Sequence, residues 1–160
     1  MQKIVVLCSV LLCLSAAAQA AEDKVYGAWK AHCETARDDR PARCQIQQMV
    51  KSKKAQDKTL MGVIVANQAE HPMPHILMRF TAAADQAKGA AVKVDKHDFM
   101  RVPIADCDKQ VCEVRSFIPD SLLNQMERGK VMWFAYYIGD QQITYSVSLN
   151  GFDQAFATLL

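Results

Sequence analysis

Most of the chain alternates between apolar and polar positions in short segments, which is the pattern of half-buried β-strands. These segments recur about every ten residues, and prolines lie between several of them or at their ends. The run at 60–66 differs because it is continuously apolar and rich in β-branched residues, as expected for a buried strand. The predicted strands cover residues 29–34, 44–49, 60–66, 76–80, 91–95, 99–104 and 112–118.

The strongest pattern is a predicted β-hairpin at residues 131–149, where two apolar stretches flank Gly139-Asp140. Glycine at the first turn position is typical of two-residue hairpin loops, because that position needs a positive φ. The turn fixes which residues face one another, and one face of the hairpin is wholly apolar, so we expect it to point into a core. The pairs predicted on this face are Tyr136 with Ile143, Phe134 with Tyr145, and Met132 with Val147.

Two short helices are also predicted. Asp120 or Ser121 is positioned to cap the first helix, which follows Pro119 and ends at Gly129. The second helix lies at the C-terminus, where helical spacing places on one apolar face Phe152, Ala155, Phe156, Leu159 and Leu160. Many strands with few helices predict a mainly β fold, an antiparallel β-sandwich with one or two short helices that include a C-terminal one.

The first twenty residues have the pattern of an export signal: a positive start, an apolar run and small residues at a cleavage site. Lys3 supplies the charge, residues 4–14 the run, and Ala18-Gln19-Ala20 the cleavage motif. The run is shorter than the roughly 20 residues of a transmembrane helix. Lipidation at Cys13 is the alternative, but the preceding residue is leucine rather than the small residue expected there. We therefore expect residues 1–20 to be a cleaved signal peptide and residues 21–160 to form one domain that is periplasmic, outer-membrane associated or secreted.

Charge and glycine content argue against several functions. The chain has 19 Lys and Arg against 17 Asp and Glu, and removal of Lys3 with the signal leaves a net charge of +1. Proteins that bind nucleic acid usually carry a strongly basic face, so no nucleic-acid partner is expected. The six glycines are scattered singly and form neither GxGxxG nor GxxxxGK, and no cofactor is expected.

Four cysteines remain after the signal is removed, namely Cys33, Cys44, Cys107 and Cys112. An even number in an exported chain favours disulfides, and four cysteines allow three pairings. We favour the two local pairs, Cys33–Cys44 and Cys107–Cys112, because each closes a short loop. Zinc binding and redox-active thiols are the alternatives, but both normally use a CxxC motif, whereas the spacings here are C-x10-C and C-x4-C. No metal site is expected.

Motifs assign no catalytic residue, because GxSxG, HExxH and EF-hand patterns are all missing from the chain. His71 and His75 are four residues apart, a spacing that suits a metal pair on a helix. Pro72 and Pro74 argue against a helix there, so both histidines are predicted to lie in a solvated loop. A hydrolase would need a cluster of distant residues, for which the candidates are His32, His97 and Asp106.

Two surfaces are candidates for binding. The second face of the predicted hairpin carries Trp133 and Tyr137 among hydroxyl side chains, and such aromatic residues are enriched at interfaces. The alternative is that another sheet or helix covers this face. A lysine cluster is most simply a solvated hairpin loop, with weak attraction to anionic surfaces as its alternative. The cluster consists of Lys51, Lys53, Lys54 and Lys58.

Several segments together resemble the invasion-associated locus B family, and they span nearly all of the chain after the signal. The match depends on the order of the segments and on the four cysteines, because each segment alone is short. The matching segments are YGAWKAHCE at 26–34, RCQIQQ at 43–48, VD at 94–95, PIADC at 103–107 with Cys112 five residues later, and SLNGFDQA at 148–155. Two positions depart from the family pattern: Val111 replaces a glycine, and residues 79–84 replace a segment of the type lPlG.

This resemblance implies an exported protein of Gram-negative bacteria with a mostly β fold, without an established enzymatic activity, whose four cysteines are structural. Members are linked to invasion of host cells or survival within them. We therefore expect a non-enzymatic protein that binds a protein, envelope or host-surface partner, and peripheral membrane association is compatible with this role. The alternatives are an envelope-stabilising scaffold and a hydrolase that acts on envelope polymers. The sequence does not indicate an oligomeric state.

Overall fold

The computed structural model describes residues 23–36, 43–52, 58–68 and 71–160. These residues form two antiparallel β-sheets and two short α-helices, so the predicted fold class is confirmed, including the C-terminal helix. The predicted signal peptide lies outside the described residues. Among the described residues, no helix is long and apolar enough to cross a membrane.

The larger sheet has seven strands and the smaller has four, with every neighbouring pair antiparallel. In spatial order the larger sheet contains β1 (Lys24–Tyr26), β2 (Trp29–Glu34), β3 (Arg43–Lys51), β4 (Thr59–Gln68), β5 (His71–Thr81), β9 (Val111–Phe117) and β8 (Asp106–Cys107). The smaller sheet contains β11 (Gln141–Ser148), β10 (Val131–Ile138), β6 (Ala90–Val94) and β7 (Met100–Val102).

The core lies between the two sheets and is built from alternate residues of their strands, as period-2 side-chain placement requires. On β4, for example, Met61, Val63 and Val65 are buried, while the residues between them are only half-buried. The run at 60–66 is therefore a strand, as predicted, with only one of its faces in the core. The largest fully buried side chains include Trp29, Tyr136, Phe134 and Phe152.

The hairpin formed by β10 and β11 has the predicted register. Its turn is Gly139-Asp140, and Gly139 has a φ of 56°, in the region that favours glycine. All three predicted pairs on the apolar face are present, and that face points into the core.

Helix α1 (Asp120–Arg128) has the predicted position, but the predicted cap is wrong. The N-cap is Pro119, which makes no side-chain cap bond; its carbonyl accepts from the N–H groups of Leu122 and Leu123. Because the helix starts at the residue after proline, Asp120 lies within the first turn. Its charge there complements the helix dipole.

The C-terminal helix α2 (Phe152–Phe156) is shorter than its apolar pattern predicts. A 3-10 turn, Ala157–Leu159, follows it, so the chain leaves the α-helical spacing after Phe156. Leu160 was predicted on the apolar face, but it is 91% exposed because the tighter turn directs the terminal residue away from the core.

His71 and His75 belong to β5, so their prediction as solvated loop residues is wrong. Pro72 and Pro74 are tolerated because the neighbour β9 pairs with β5 only from His75 onward, which leaves the start of β5 edge-like. His71 stacks on Phe117 of β9 with 3.7 Å between ring centroids. The strand therefore continues through a segment that proline content alone would assign to a loop.

Candidate functional site

The family-like segments at the two ends of the chain meet around Trp29, at the start of β2. This side chain is fully buried, and its indole Nε1 donates a hydrogen bond to the carbonyl of Ser148 at 2.9 Å. Its ring also packs edge-on against Phe152, with 5.1 Å between centroids. Trp29 thus fastens the larger sheet to the end of β11 and to the C-terminal helix.

Gln48 makes a second link to the same residue. Its side-chain Nε2 donates to the Ser148 carbonyl at 2.8 Å, and its Oε1 accepts from the Ser148 N–H at 3.0 Å. The amide therefore does what a neighbouring strand would do for the backbone of Ser148. Gln48 and Glu113 are the buried polar or charged residues in the described part of the chain. The burial of Gln48 costs little free energy because both ends of its amide form hydrogen bonds.

Two glycines allow the backbones to approach closely at this point. Gly27 and Gly151 have φ values of 55° and 81°. A Cβ on Gly27 would lie 2.4 Å from the Asn150 carbonyl oxygen, and one on Gly151 would lie 2.3 Å from that of Tyr26. Only glycine fits either position. We call Gly27, Trp29, Gln48, Ser148 and Gly151 the sheet junction.

Asp95, in the VD segment, also has a structural role. It has a φ of 47°, and its carboxylate accepts hydrogen bonds from the backbone N–H groups of Lys130 and Val131, both at 3.0 Å. Its own N–H donates to the Val131 carbonyl at 2.9 Å. Asp95 therefore holds the start of β10 against the end of β6.

The four cysteines form disulfides in the structure, Cys33–Cys44 and Cys107–Cys112. These are the two local pairs that the sequence favours. Each bond joins directly opposed residues of an antiparallel strand pair, β2 with β3 and β8 with β9. Within the described ranges, no group of three or more His, Cys, Asp or Glu side chains could hold a metal ion.

The outward face of the smaller sheet carries the predicted binding residues. Trp133 and Tyr137 each keep 36% of their surface exposed. Trp133 lies between Lys93 of β6 and Ser146 of β11, and Lys93 Nζ is 4.6 Å from the ring centroid of Phe99. We call Trp133, Tyr137, Lys93 and Phe99 the aromatic face. It offers flat apolar rings with a cation among them.

A groove of about 770 Å³ opens where described residues of β3, β4 and β5 approach the β10–β11 hairpin. Both sheets contribute to its wall. Most lining side chains are apolar, and the polar ones include Lys58 and Arg79. At its inner side, the Tyr136 hydroxyl donates to that of Tyr145 at 3.2 Å, and burial raises the pKa of Tyr136 well above its usual value.

Arg79 at this groove belongs to an ion cluster on the outward face of the larger sheet. Its Nε lies 2.6 Å from Glu113 Oε1, and Arg115 Nη2 binds the other carboxylate oxygen. Glu113 has only 10% of its side chain exposed. Burial alone would raise its pKa, but the hydrogen bonds from the two arginines outweigh burial and lower the pKa.

The hydrolase candidates do not form a cluster. His32 lies on β2, His97 in the turn after β6, and Asp106 on β8, and no contact joins them within the described part of the chain. His32 instead pairs with Asp23, with 2.7 Å between Nδ1 and Oδ1. Hydrogen bonds from Lys30 and His32 lower the pKa of this exposed aspartate.

The other histidines and the lysine cluster have simple surroundings. Burial, and then the nearby Arg115, lower the pKa of His75. Lys51 and Lys58 are exposed at the ends of two paired strands, as predicted, and the Ser52 N–H donates to the Lys58 carbonyl at 2.9 Å. Lys53 and Lys54 lie outside the described residues.

Comparison with known proteins agrees with this picture. A family model described as "Invasion associated locus B (IalB) protein" matches residues 29–160. The crystal structure of invasion associated protein B from Bartonella henselae is similar with a TM-score of 0.76; the match covers 87% of this chain and 95% of that one, at 18% sequence identity. No curated protein sequence matches at a significant level.

Proposed function

Because the chain belongs to the invasion-associated locus B family, we propose that it is exported and acts by binding, without an enzymatic activity. In this proposal it works in the periplasm, at the outer membrane or after secretion, and contributes to host-cell invasion or intracellular survival. Its partner is a protein, or a component of the envelope or host surface. The predicted export signal and the two disulfides support a location outside the cytoplasm, where disulfides persist.

The observation that carries this proposal is the aromatic face. Tryptophan is highly buried on average and tyrosine is intermediate, yet Trp133 and Tyr137 remain more than one third exposed. The Tyr137 hydroxyl donates to Gln142 Oε1 of the paired strand at 3.2 Å, and Lys88 Nζ lies 5.4 Å from the centroid of its ring. Large rings with polar handles give much contact area at a small entropic cost on ordering.

Four polar residues of the described part of the chain have structural tasks, which favours binding over catalysis. Gln48, Asp95 and Trp29 use their polar groups to hold backbone atoms of other elements. Glu113 is occupied by two arginines. A hydrolase needs an acid, base or nucleophile free to meet substrate within hydrogen-bond reach.

The test is a double substitution, Trp133→Ala with Tyr137→Ala, in the full exported chain. We expect it to fold and to lose crosslinked capture of its partner from envelope fractions and host cells. The matched control is Phe117→Ala, which removes an aromatic ring of similar exposure, 38%, from the other sheet. Wild-type capture and host entry by the folded double variant would contradict the proposal.

Two further measurements separate the alternatives. Cell fractionation of a strain that produces the chain from its own gene tests export, and a cytoplasmic location would refute it. A deletion strain with leaky membranes but normal host entry would favour an envelope scaffold. Turnover of an envelope polymer by the purified protein would favour the hydrolase.

A further inference from the structure

The groove between the hairpin ends has the size and lining of a small-molecule site. Its volume of about 770 Å³ lies within the range of roughly 300–1,000 Å³ that is typical of ligand pockets. Leu60, Ile64 and Leu77 supply aliphatic surface from the larger sheet, and Ile138 and Ile143 supply it from the smaller. Ile64 and Leu77 pair on the outward face of the larger sheet, so a hydrocarbon chain would lie against this aliphatic surface with part of it open to solvent.

Gly62 gives the groove part of its space. It lies in the interior of β4, where glycine weakens a strand and often marks a place that a ligand approaches closely. A Cβ at this position would meet only the Sδ and Cε atoms of Met49, at 3.4 and 3.8 Å. No backbone approach and no positive φ demands the glycine, in contrast to Gly27 and Gly151.

The charged residues of the groove are all cationic. Lys58 and Arg79 line it, and none of the lining side chains that the structure describes is acidic. Although Arg79 binds Glu113, that carboxylate is shared with Arg115, so the three side chains together keep a net positive charge. An apolar groove with a positive rim is complementary to an apolar chain that carries one negative group.

Both departures from the family pattern also lie at this groove. Arg79, Phe80 and Thr81 come from the segment that replaces lPlG, and Val111 replaces the usual glycine; all four line the groove. The sheet junction, by contrast, keeps the family pattern.

We propose that this groove binds an amphiphile with a single hydrocarbon chain and a carboxylate head group. The chain lies against the aliphatic residues beside Gly62, and the carboxylate accepts hydrogen bonds from Arg79 with Lys58 nearby. This site is separate from the aromatic face. It goes beyond the proposed function, because a bound fatty acid requires neither Trp133 nor Tyr137.

The first experiment titrates the purified full chain with dodecanoate, 1-dodecanol and butyrate, by displacement of a fluorescent fatty acid. We expect saturable binding of dodecanoate with one site, binding of 1-dodecanol that is about tenfold weaker, and none of butyrate. Absence of saturable dodecanoate binding would overturn the proposal. Equal affinity for the acid and the alcohol would overturn the role of the cations.

Two matched pairs of variants locate the site. Gly62→Val adds three carbons in the groove, whereas Ala66→Val adds two carbons on the same face of β4 outside it. We expect only the first to weaken dodecanoate binding by tenfold or more, and we expect both variants to fold. Arg79→Gln removes a cation from the lining, and Arg115→Gln removes the other partner of Glu113. Only Arg79→Gln should weaken binding, by about tenfold.

Each outcome is decisive. Wild-type binding by a folded Gly62→Val protein would place the ligand elsewhere and refute the site. If that variant does not fold, the arginine pair decides alone, and equal effects of Arg79→Gln and Arg115→Gln would refute a direct contact. Loss of dodecanoate binding in Trp133→Ala would assign the ligand to the aromatic face instead.

Discussion

The sheet junction and the groove share strand β11 yet are built in opposite ways. Ser148 lies at the junction, where both its backbone groups are bonded by side chains from other strands. Ile143 and Tyr145, five and three residues earlier, line an open groove with a glycine on its wall. The junction is closed and fully paired, whereas the groove leaves space.

The family-like residues concentrate in the first of these regions. Gly27, Trp29, Gln48 and Gly151 all belong to segments that resemble the family, and all four hold backbones together. A family signature built from such residues identifies a fold. It does not identify a ligand.

The largest expected effect is at the centre of the junction. Trp29→Ala removes a fully buried ring and its bond to Ser148, and should lower the free energy of unfolding by about 3–5 kcal/mol. Urea denaturation followed by circular dichroism measures this loss. Trp133→Ala is the same substitution at a partly exposed site, and it should lower the free energy of unfolding by less than half as much. Equal losses would contradict the special stabilising role of Trp29 at the junction.

Gly151→Ala should come next, with a loss of about 2–3 kcal/mol. Left-handed backbone costs a non-glycine residue about 1–2 kcal/mol, and the added methyl would lie 2.3 Å from the Tyr26 carbonyl oxygen. Thermal unfolding of the variant and the wild type tests this. Gly139→Ala is the control, because Gly139 has a positive φ but open space around it, so it should lose only the backbone part.

Gln48→Ala should cost about 2 kcal/mol, because it leaves the Ser148 N–H without its partner in a largely buried position. Urea denaturation again provides the measurement. The control is Gln47→Ala, which changes the same side chain one residue earlier, on the opposite face of β3 and in the lining of the groove. A larger loss for Gln47→Ala would mean that the amide of Gln48 contributes nothing.

The strand positions, the β10–β11 register and the C-terminal helix could be predicted from the sequence, because each depends on residues close together along the chain. Alternation with period 2 and a Gly-Asp turn are local signals. The two disulfides in the structure likewise join neighbouring strands. The prediction of a loop from Pro72 and Pro74 was wrong because it ignored the neighbouring strand. Both prolines lie beyond the residues of β5 that pair with β9, so a strand can continue through them.

The junction could not be predicted, because its contacts join residues about one hundred positions apart. Gln48 bonds to Ser148, and Trp29 bonds to the same residue from still farther away. In the sequence Gln48 shares the phase of Cys44 and Ile46 on an alternating strand, but the partner that satisfies its amide became clear only when β11 lay over β3. A buried glutamine on the apolar phase of a strand was the only signal.

The candidate sites divide in the same way. The exposure of Trp133 and Tyr137 follows from the hairpin register, since the apolar face must turn inward and the other face outward. The groove could not be predicted from the sequence, because residues of six strands line it. Gly62 gave no signal of its own, because it lies within an otherwise apolar run. Arg79 and Val111 were visible only as departures from a pattern.

A smaller effect, dependent on pH, is expected at the edge of the groove. The pKa of Glu113 is lower in the folded chain than its usual value of 4.5, so its ion cluster stabilises the fold above about pH 4.5 and loses this contribution as pH falls through the folded pKa. Glu113→Gln should cost about 1 kcal/mol at pH 7, since both arginines are half-exposed, and less at pH 3, where the contribution of the ion cluster falls.

Urea denaturation at the two pH values tests this, with Glu127→Gln on the exposed side of α1 as the control. A cost for Glu113→Gln that stays constant or grows toward pH 3 would contradict the role of its charge. The direction of the change matters more than its size.

The smallest effect should have the opposite sign and separates the two regions most directly. Gly62→Ala should raise the free energy of unfolding by about 0.5 kcal/mol, because alanine loses less backbone entropy than glycine in a strand and its methyl group meets only the flexible end of Met49. The same change at Gly151 is expected to be strongly destabilising. If thermal unfolding shows Gly62→Ala to be as harmful as Gly151→Ala, then Gly62 is a packing residue like those of the junction. If it is neutral or stabilising, the glycine is not required by the fold, and the space that it leaves needs another explanation, which a bound ligand supplies.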